Sequence, residues 1–328
     1  MSSPEWGAAG RDGTARQHDL IVVGVTCTEE IIGVDSLQAL DSHREIEICG
    51  RWQSVGGNGL NVAVHAARLG ADVALISKIP RDIWPEVTGA LKRSGVDASF
   101  LVPEYVSPAP AVLLVTDDQG EYGVFVSDRA GLAFNPADVA HVTGMAARHV
   151  HFDGFSLGAL NLGSQIESAQ NLLEVAGSSG AVLSIDLNGA ICDSQPERVR
   201  EIVPQADILF ANGYEALAVT GAASAEEAAR TLISWDLPMA VVKNGSEGLI
   251  CATRRRLDCL SAIEVPVVDS IGAGDGVVAG TLWGLLRGLD LHEAARIGAA
   301  VAALVCTGHG SQGAEFEKAD VDRLCEEV

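Results

Sequence analysis

Short apolar runs that alternate with helix-compatible segments constrain the fold of this chain more than any other feature. The apolar runs lie at residues 20–25, 73–76, 149–152, 182–186, 208–210 and 239–242. Segments suited to helices lie between them, at residues 58–69, 164–176, 214–220 and 224–234. Continuous apolar runs are typical of strands buried on both faces, and strands that alternate with helices form parallel βαβ units. We therefore predict an α/β fold with a doubly wound, mainly parallel, Rossmann-like sheet.

Two segments, at about residues 29–55 and 106–130, interrupt this alternation with strand-like stretches that have no helix between them. In the second segment, residues 111–116 and 123–126 flank a polar loop, a pattern that predicts a β-hairpin. A small antiparallel sheet standing off the main domain would account for both segments. Ordinary surface loops are the alternative.

A single domain is expected over residues 19–328, with the two interrupting segments inserted into it. Residues 1–18 are rich in Gly, Ala, Ser and charged side chains and contain no apolar stretch. We expect this segment to be a mobile tail rather than a signal peptide.

The formal net charge of −22 argues against nucleic acid or an anionic membrane as the main partner, because both require a basic face. It does not exclude a nucleotide, since a few local amides hold phosphates even in an acidic protein. The apolar stretches are too short to span a bilayer. The seven cysteines contain no CxxC pair, which fits a reduced, cytoplasmic protein.

The most informative motif is the glycine-rich turn at residues 269–275, between a strand-like run and a helix of small residues. Glycines at a helix start let backbone N–H groups converge on an anion, and the helix dipole adds to the attraction. Asp275 is unexpected there, because its charge repels phosphate. It makes sense if the carboxylate accepts a proton from a hydroxyl that attacks the phosphate. A purely structural turn is the competing interpretation.

A second motif contains Gly56, Gly57, Asn58 and Asn61 at the start of the helix predicted over residues 58–69. The glycines permit close approach of the backbone to a ligand. The two asparagines lie three residues apart, so they share a helix face and offer amides that suit sugar hydroxyls. Helix capping by Asn58 is the competing interpretation.

Two further motifs follow predicted strands. Asn212 and Glu215 lie at the carboxyl end of one, where open α/β sheets bind ligands, and Glu215 is suited to hold Mg²⁺ through water. Capping of a helix by Asn212 is again the alternative. The second of these motifs has Lys243 directly after a predicted strand, followed by a turn that contains Gly245 and Gly248. This pattern alone indicates only a loop.

In this order, the four motifs resemble those of the ribokinase-like (PfkB) carbohydrate kinase family, and the resemblance covers the chain from about residue 19. Residues 269–275 resemble the family's Asp-Thr-x-Gly-Ala-Gly-Asp signature, with Ser270 in place of Thr. Residues 56–61 resemble its Gly-Gly-x-x-x-Asn substrate motif, and residues 212–215 its Asn-x-x-Glu motif. Residues 243–248 look like its nucleotide-contacting turn.

The resemblance implies an ATP-dependent kinase that uses Mg²⁺ and transfers the γ-phosphoryl group of ATP to a hydroxyl of a sugar-like molecule. Asp275 would be the general base, and the amides of Gly272, Ala273 and Gly274 would form an anion hole. Asp269 and Ile271 match positions near a monovalent-cation site, which makes K⁺ a candidate ligand. The interrupting segments would form a β-lid over the substrate and the interface of a homodimer. The nucleotide would contact Asn212, Lys243, Gly245, Gly248, Ser270, Gly272 and Gly274, and the substrate would contact Glu29, Gly56, Gly57, Asn58, Asn61 and Asp275.

Departures from the family pattern concern the substrate. Cys27, Thr28 and Glu29 stand where ribokinases carry Asn-x-Asp, and Asn58 replaces a common Lys. The stretch at residues 186–188 resembles Asp-x-Asn-x-Arg without its Arg. Ribose or fructose is therefore not assumed.

Two alternatives to a sugar kinase stay open. A nucleoside kinase of the same fold would need an apolar or aromatic platform from the lid, for which the candidates are Trp52, Tyr105, Tyr122 and Phe125. A catalytically silent, ligand-binding relative is the other. Separately, His149 and His151 share a strand face and have the spacing of metal ligands, although ordinary strand histidines are the stronger expectation.

Overall fold

The computed structural model of the chain describes residues 17–37, 45–104, 111–116, 122–126, 146–156 and 180–327. Its strands are β1 (Gln17–Val23), β2 (Cys27–Val34), β3 (Ile48–Gly56), β4 (Val73–Ile76), β5 (Lys78–Pro80), β6 (Val102–Glu104), β7 (Ala111–Thr116), β8 (Tyr122–Val126), β9 (Ala146–Asp153), β10 (Val182–Asp186), β11 (Ile208–Asn212), β12 (Met239–Lys243), β13 (Leu249–Thr253) and β14 (Leu257–Leu260). Its α-helices are α1 (Asn58–Arg68), α2 (Trp84–Ser94), α3 (Gly189–Ser194), α4 (Pro196–Ile202), α5 (Gly213–Thr220), α6 (Ala225–Ser234), α7 (Ala273–Leu286), α8 (Leu291–Val305) and α9 (Lys318–Glu327).

The main sheet has eight strands in the order β14-β13-β12-β11-β10-β9-β1-β4. The six strands from β12 to β4 pair in parallel, and β13 and β14 continue the sheet in antiparallel pairing. The chain alternates between these strands and helices, as the apolar pattern indicates. The predicted doubly wound, mainly parallel α/β fold is therefore confirmed.

Helices cover both faces of this sheet, so its parallel strands are buried on both sides. One face packs against α3, α4, α5 and α6 through a core that includes Ile185 and Leu209. The other face packs against α1, α2, α7 and α8 through a core that includes Leu20 and Phe210. None of the helices in the described ranges is long and apolar enough to cross a membrane.

Most predicted strands lie within one to three residues of the observed bounds, and the runs at residues 73–76 and 182–186 match β4 and β10 at both ends. β1 begins at Gln17, so the last two residues assigned to the N-terminal tail belong to the sheet. The tail's residues 1–16 and the predicted helix at residues 164–176 lie outside the described residues. The spacing of Ser224 and Glu227 predicts a capping box. Ser224 does cap α6, whereas the Glu227 carboxylate accepts from the amide of Ala223.

A second sheet stands apart from the first, with strand order β3-β2-β7-β8. β2 and β7 pair in parallel, so this sheet is mixed, and the prediction of an antiparallel sheet is wrong at its centre. β7 and β8 pair in antiparallel register, with Leu114 opposite Val124, which confirms the predicted hairpin. The polar loop between these strands lies outside the described residues. We call this four-stranded sheet the lid sheet.

The two strand histidines have a structural role. His149 Nε2 and His151 Nδ1 both form hydrogen bonds with Ser184 Oγ on β10, at 3.0 and 2.8 Å. Burial lowers the pKa of His149 to about 3, so it is neutral. In the described part of the chain, no group of three His, Cys, Asp or Glu side chains is placed to hold a metal ion.

Candidate active site

The carboxyl ends of the parallel strands form the floor of the candidate site. Asp153, Asp186, Asn212 and Lys243 are the last residues of β9, β10, β11 and β12. Polar side chains collect at this edge in open α/β sheets because the loops there leave a crevice. The N-terminus of α7 brings Asp275 to the same crevice, where Lys243 contributes to its electrostatic environment.

The turn before α7 is built for a close backbone approach. Gly272 has φ of +79°, and a Cβ on it would lie 2.7 Å from both Cα and Cβ of Ser311, so only glycine fits there. The amide of Ala273 donates to the carbonyl of Ser270 at 3.2 Å, and the amide of Gly276 donates to the carbonyl of Gly272 at 3.0 Å. The amides of Gly274 and Asp275 lie in the first helical turn, before the first intrahelical bond. Backbone N–H groups at such positions have no partner within the helix and are available to an anion. Of the three amides predicted to form an anion hole, that of Ala273 is engaged with Ser270, whereas that of Gly274 lies in this first turn.

Asp275 is buried and held by two side-chain amides. Asn58 Nδ2 donates to Oδ1 at 3.0 Å, and Asn61 Nδ2 donates to Oδ2 at 2.8 Å. Burial raises the pKa of Asp275 to about 7, with smaller contributions from Asp186 and Glu29, while Asn61 and Lys243 act in the opposite direction. The structure thus brings the predicted substrate motif and the predicted base together.

Asn58 does not act as a helix cap. The N-cap of α1 is Gly57, and Asn58 is the first residue of the helix. The Asn58 side chain instead donates to Asp275. The competing interpretation of this motif as a capping signal is therefore wrong.

Glu29 lies next to these groups, but its carboxylate is engaged with the protein. Oε1 accepts from the amide of Gly57 at 2.9 Å, and Oε2 accepts from Ser311 Oγ at 2.6 Å. A Cβ on Gly56 would overlap the carboxyl group of Glu29, so this glycine makes room for the carboxylate. Burial raises the pKa of Glu29. Glu29 has one methylene more than the Asp of ribokinases, and this length lets its carboxylate reach the backbone amide of Gly57.

A buried ion pair lies in the crevice, at the ends of β10 and β12. Lys243 Nζ donates to both carboxylate oxygens of Asp186 at 2.7 Å. Burial opposes the charged form of Lys243, but Asp186 and Glu215 outweigh it and raise its pKa. A Cβ on Gly274 would lie 3.4 Å from Lys243 Nζ, so the ammonium group lies beside the glycine-rich turn at the start of α7.

Asn212 and Glu215 form a reciprocal capping box at the start of α5. The amide of Glu215 donates to Asn212 Oδ1 at 2.8 Å, and the amide of Asn212 donates to Glu215 Oε2 at 2.8 Å. The competing interpretation of Asn212 as a helix cap is therefore confirmed. Burial raises the pKa of Glu215 to about 7.

The residues matched to a monovalent-cation site lie where the lid sheet meets the turn before α7. Asp269 is buried, and its two oxygens accept from the amides of Ile271 and Gly310 at 3.0 and 2.8 Å. The Ile271 side chain packs against Ile31 and Leu114 of the lid sheet. Burial raises the pKa of Asp269.

The remaining two predicted nucleotide contacts, Gly245 and Gly248, lie in the turn between β12 and β13. The amide of Asn244 donates to the carbonyl of Gly248 at 2.8 Å, and the amide of Gly248 donates to the carbonyl of Gly245 at 3.0 Å. These bonds close the turn directly after Lys243, the residue that ends β12 in the crevice.

The structure places in the site several residues that the four motifs do not include. Asp153 accepts from the amide of Val25 at 2.6 Å, and Asp186 pairs with Lys243. Both acids end a buried strand, a signal that could have marked Asp153, whereas Asp186 already stands in the stretch that resembles Asp-x-Asn-x-Arg. Two others, in a loop near the C-terminus, carry no local pattern that marks them. They are Ser311, which reaches Glu29, and Gln312, which reaches Asn61.

A profile of the pfkB family carbohydrate kinases matches residues 17–318, which is most of the chain. The chain belongs to the pfkB family of carbohydrate kinases. The resemblance inferred from the four motifs is confirmed, and this pfkB family member is a phosphotransferase that acts on a hydroxyl group.

Similar proteins differ in the acceptor that their names give. The chain is 24% identical to a 5-dehydro-2-deoxygluconokinase of Shouchella clausii, over 95% of this chain and 97% of the relative. It is 26% identical to a cytidine kinase of Thermococcus kodakarensis, over 85% of this chain and 93% of the relative. Among solved structures, a probable sugar kinase from Rhizobium etli has a TM-score of 0.80 at 20% identity, over 95% of this chain and 99% of that one. The last likeness shows the fold alone.

Proposed function

We propose that the protein transfers the γ-phosphoryl group of ATP to a hydroxyl of a sugar-like small molecule, with Asp275 as general base. The observation that carries this proposal is the buried Asp275 carboxylate beside the amides at the N-terminus of α7. A carboxylate would repel phosphate if the turn served anion binding alone. It suits a turn where a hydroxyl must lose its proton next to a phosphoryl group.

The proposed reaction couples the loss of one proton from the acceptor to the transfer of one phosphoryl group. The acceptor hydroxyl gives its proton to Asp275, and its oxygen forms a bond to the γ-phosphorus. The bond from that phosphorus to the bridging oxygen breaks, and ADP leaves. The amides of Gly274 and Asp275 would stabilise the charge on the transferring group. Lys243, beside Gly274, would add a positive charge on the nucleotide side.

Glu215 is the residue proposed to hold Mg²⁺ through water. Its Oε2 already accepts a hydrogen bond from the Asn212 amide, so the carboxylate has little capacity left to bind the metal ion directly. Mg²⁺ usually keeps several waters and takes one or two carboxylates, so this carboxylate fits an outer position. When bound, Mg²⁺ would supply charge neutralisation at the phosphates. A monovalent cation near Asp269 and Ile271 is proposed on the family resemblance, with K⁺ as the candidate.

A nucleoside acceptor is the second candidate, and the lid sheet favours it in one respect. Cross-strand partners share a sheet face, so Glu29 and Val112 lie on one face, together with the row formed by Ile31, Leu114 and Val124. Apart from Glu29 these side chains are apolar, and Val124 is 51% exposed. An apolar surface suits a nucleobase.

The aromatic candidates for a nucleobase platform divide between the two faces of the lid sheet. Trp52 pairs with Ile31 and so shares the face just described, where its ring stacks on that of His309 at 4.0 Å between centroids. Phe125 lies on the opposite face, because it is adjacent to Val124 in the strand. Tyr105 and the side chain of Tyr122 lie outside the part of the chain that the structure describes. Of the candidates with a described side chain, Trp52 is therefore the one that best supports a nucleoside acceptor.

The test is an ADP-release screen with Mg²⁺-ATP against pentoses, hexoses, sugar acids, polyols and nucleosides, with and without K⁺. Asp275→Asn should lower turnover about 10²–10⁴-fold, since it removes the base. ATP binding should persist. Asp290→Asn, which alters an exposed helix cap, is the matched control. Near-wild-type turnover by Asp275→Asn would reject Asp275 as base, and tight binding without turnover on any acceptor would favour a silent relative.

A further inference from the structure

The loop at residues 310–312 connects α1, the lid sheet and the catalytic turn. The amide of Gly310 donates to Asp269, and Ser311 Oγ donates to Glu29. The carbonyl of Ser311 accepts from His65 Nε2 at 3.0 Å. The carbonyl of Gln312 accepts from an Arg68 guanidinium nitrogen at 3.3 Å. These bonds from α1 fix the position of the loop's backbone, and therefore the position from which the side chain of Gln312 extends.

The side chain of Gln312 makes two bonds from the same nitrogen. Nε2 donates to the backbone carbonyl of Val55 at 3.3 Å and to Asn61 Oδ1 at 3.0 Å. A carbonyl oxygen only accepts, so Val55 requires the amino group of Gln312 to face it. The same amino group then requires Asn61 to present its oxygen. The amino group of Asn61 is thereby turned towards Asp275.

We propose that Gln312 is a positioning residue, which holds the Asn61 amide in the orientation that presents a donor to Asp275. The inference rests on the proposed function, in which Asp275 is the base. With Gln312 in place, Asn61 Oδ1 is occupied and offers no acceptor to a protonated Asp275. Without it, only Asp275 and Glu29 hold the Asn61 amide, which can then turn to accept a hydrogen bond from a protonated Asp275, and this favours the inactive form.

The test is a ¹³C NMR titration of the Asp275 carboxyl in the full-length protein, with the signal assigned by its absence in Asp275→Asn. Gln312→Met keeps the side-chain length and removes the donor. Its Asp275 pKa should rise by about one pH unit, because a hydrogen bond that stabilises the carboxylate is lost. Gln312→Glu should raise it further, since its carboxylate accepts from the Asn61 amino group and adds negative charge. Gln205→Met is the control, because Gln205 is exposed and donates to the carbonyl of Glu201, away from the site.

Other titratable groups near Asp275 stay unchanged in these variants. They are Cys27 and Glu29 from β2, Asp186 from β10 and Lys243 from β12. An Asp275 pKa in Gln312→Met equal to that in Gln205→Met would overturn the proposal. If Gln312→Met does not fold, Gln312→Leu gives the same decision, because it also removes the donor and adds no charge, and a crystal structure of either variant shows the Asn61 environment directly.

Turnover separates this inference from the proposed function. On an acceptor phosphorylated in the screen, Gln312→Met should lower kcat about tenfold near pH 6.5 and leave the KM for ATP within about twofold. A shifted Asp275 pKa in a protein that phosphorylates nothing would support the role of Gln312 and reject the kinase mechanism. An active enzyme with an unshifted pKa would reject the role of Gln312 alone.

Discussion

Burial raises the pKa of Asp275 to about 7, whereas its ordinary value is 3.8. A general base works only when it is deprotonated, so kcat/KM should rise with pH and level off above about 7. Below that value it should fall roughly tenfold per pH unit, as one proton inactivates the base. The measurement is kcat/KM between about pH 5.5 and 8.5, with folding checked at each pH. A flat profile over that range would contradict the assigned base.

The raised pKa of Asp275 also makes the stability of the folded protein depend on pH. Between pH 3.8 and 7 the folded protein keeps a proton on Asp275 that the unfolded chain releases. The contribution of this group to stability is therefore largest at low pH and declines as pH rises through that window. We expect Asp275→Asn to be at least as stable as the wild type at about pH 8, as measured by thermal unfolding. A clear loss of stability would mean that the ionised carboxylate stabilises the fold.

Lys243 compensates two buried acids, Asp186 and Glu215. Lys243→Met should lower the free energy of unfolding by about 3–5 kcal/mol, because it leaves a buried carboxylate without its partner. The control is Lys318→Met, whose pair with Asp322 is exposed and contributes about 0–1 kcal/mol. Urea unfolding of both variants at the same pH checks the difference. Equal losses would show that the buried pair contributes no more than the surface pair.

At the scale of an element, the start of α5 combines capping with a proposed metal role. Glu215→Gln keeps an acceptor for the Asn212 amide but removes the charge. The cap should survive, so the melting temperature should change little. The Mg²⁺ concentration for half-maximal rate should rise severalfold if the carboxylate holds the ion through water. A normal Mg²⁺ response would limit Glu215 to capping.

Helix α1 shows how far an element can be predicted. The sequence predicts a helix over residues 58–69, and α1 spans Asn58–Arg68. The spacing of Asn58 and Asn61 also predicts one shared face. This face contacts Asp275 because α1 packs against α7. The two helices are far apart in the sequence, so their packing could not be predicted from it.

At the scale of the whole molecule, the main sheet was predictable because burial on both faces leaves a continuous apolar run in each strand. The roles of residues were less predictable where a side chain bonds to other groups of the protein rather than facing the crevice. Glu29 lies in the expected position, yet its carboxylate bonds to Gly57 and Ser311. Ser311 is 282 residues away, and no local pattern encodes such a contact. Long-range side-chain partners are therefore what the sequence leaves open.

The lid sheet is also where we expect two copies of the chain to meet. Its edge strands β3 and β8 carry Ile48, Val124 and Phe125, which are 56%, 51% and 54% exposed. Exposed apolar side chains on edge strands favour association with another chain. The wild type should therefore run at twice the monomer mass in size-exclusion chromatography with light scattering.

Phe125→Asp should shift this equilibrium towards the monomer, because the charge would have to be buried at the interface. Val267→Asp is the matched control, since Val267 is 55% exposed and lies outside the lid sheet. A dissociation constant at least about tenfold weaker for Phe125→Asp than for Val267→Asp is expected, a difference of roughly 1.4 kcal/mol. Equal weakening by both variants, or a wild type that stays monomeric at high concentration, would place the subunit contact elsewhere or remove it. Because Glu29 of the lid sheet lies beside the proposed acceptor site, loss of the dimer should raise the KM for the acceptor more than the KM for ATP.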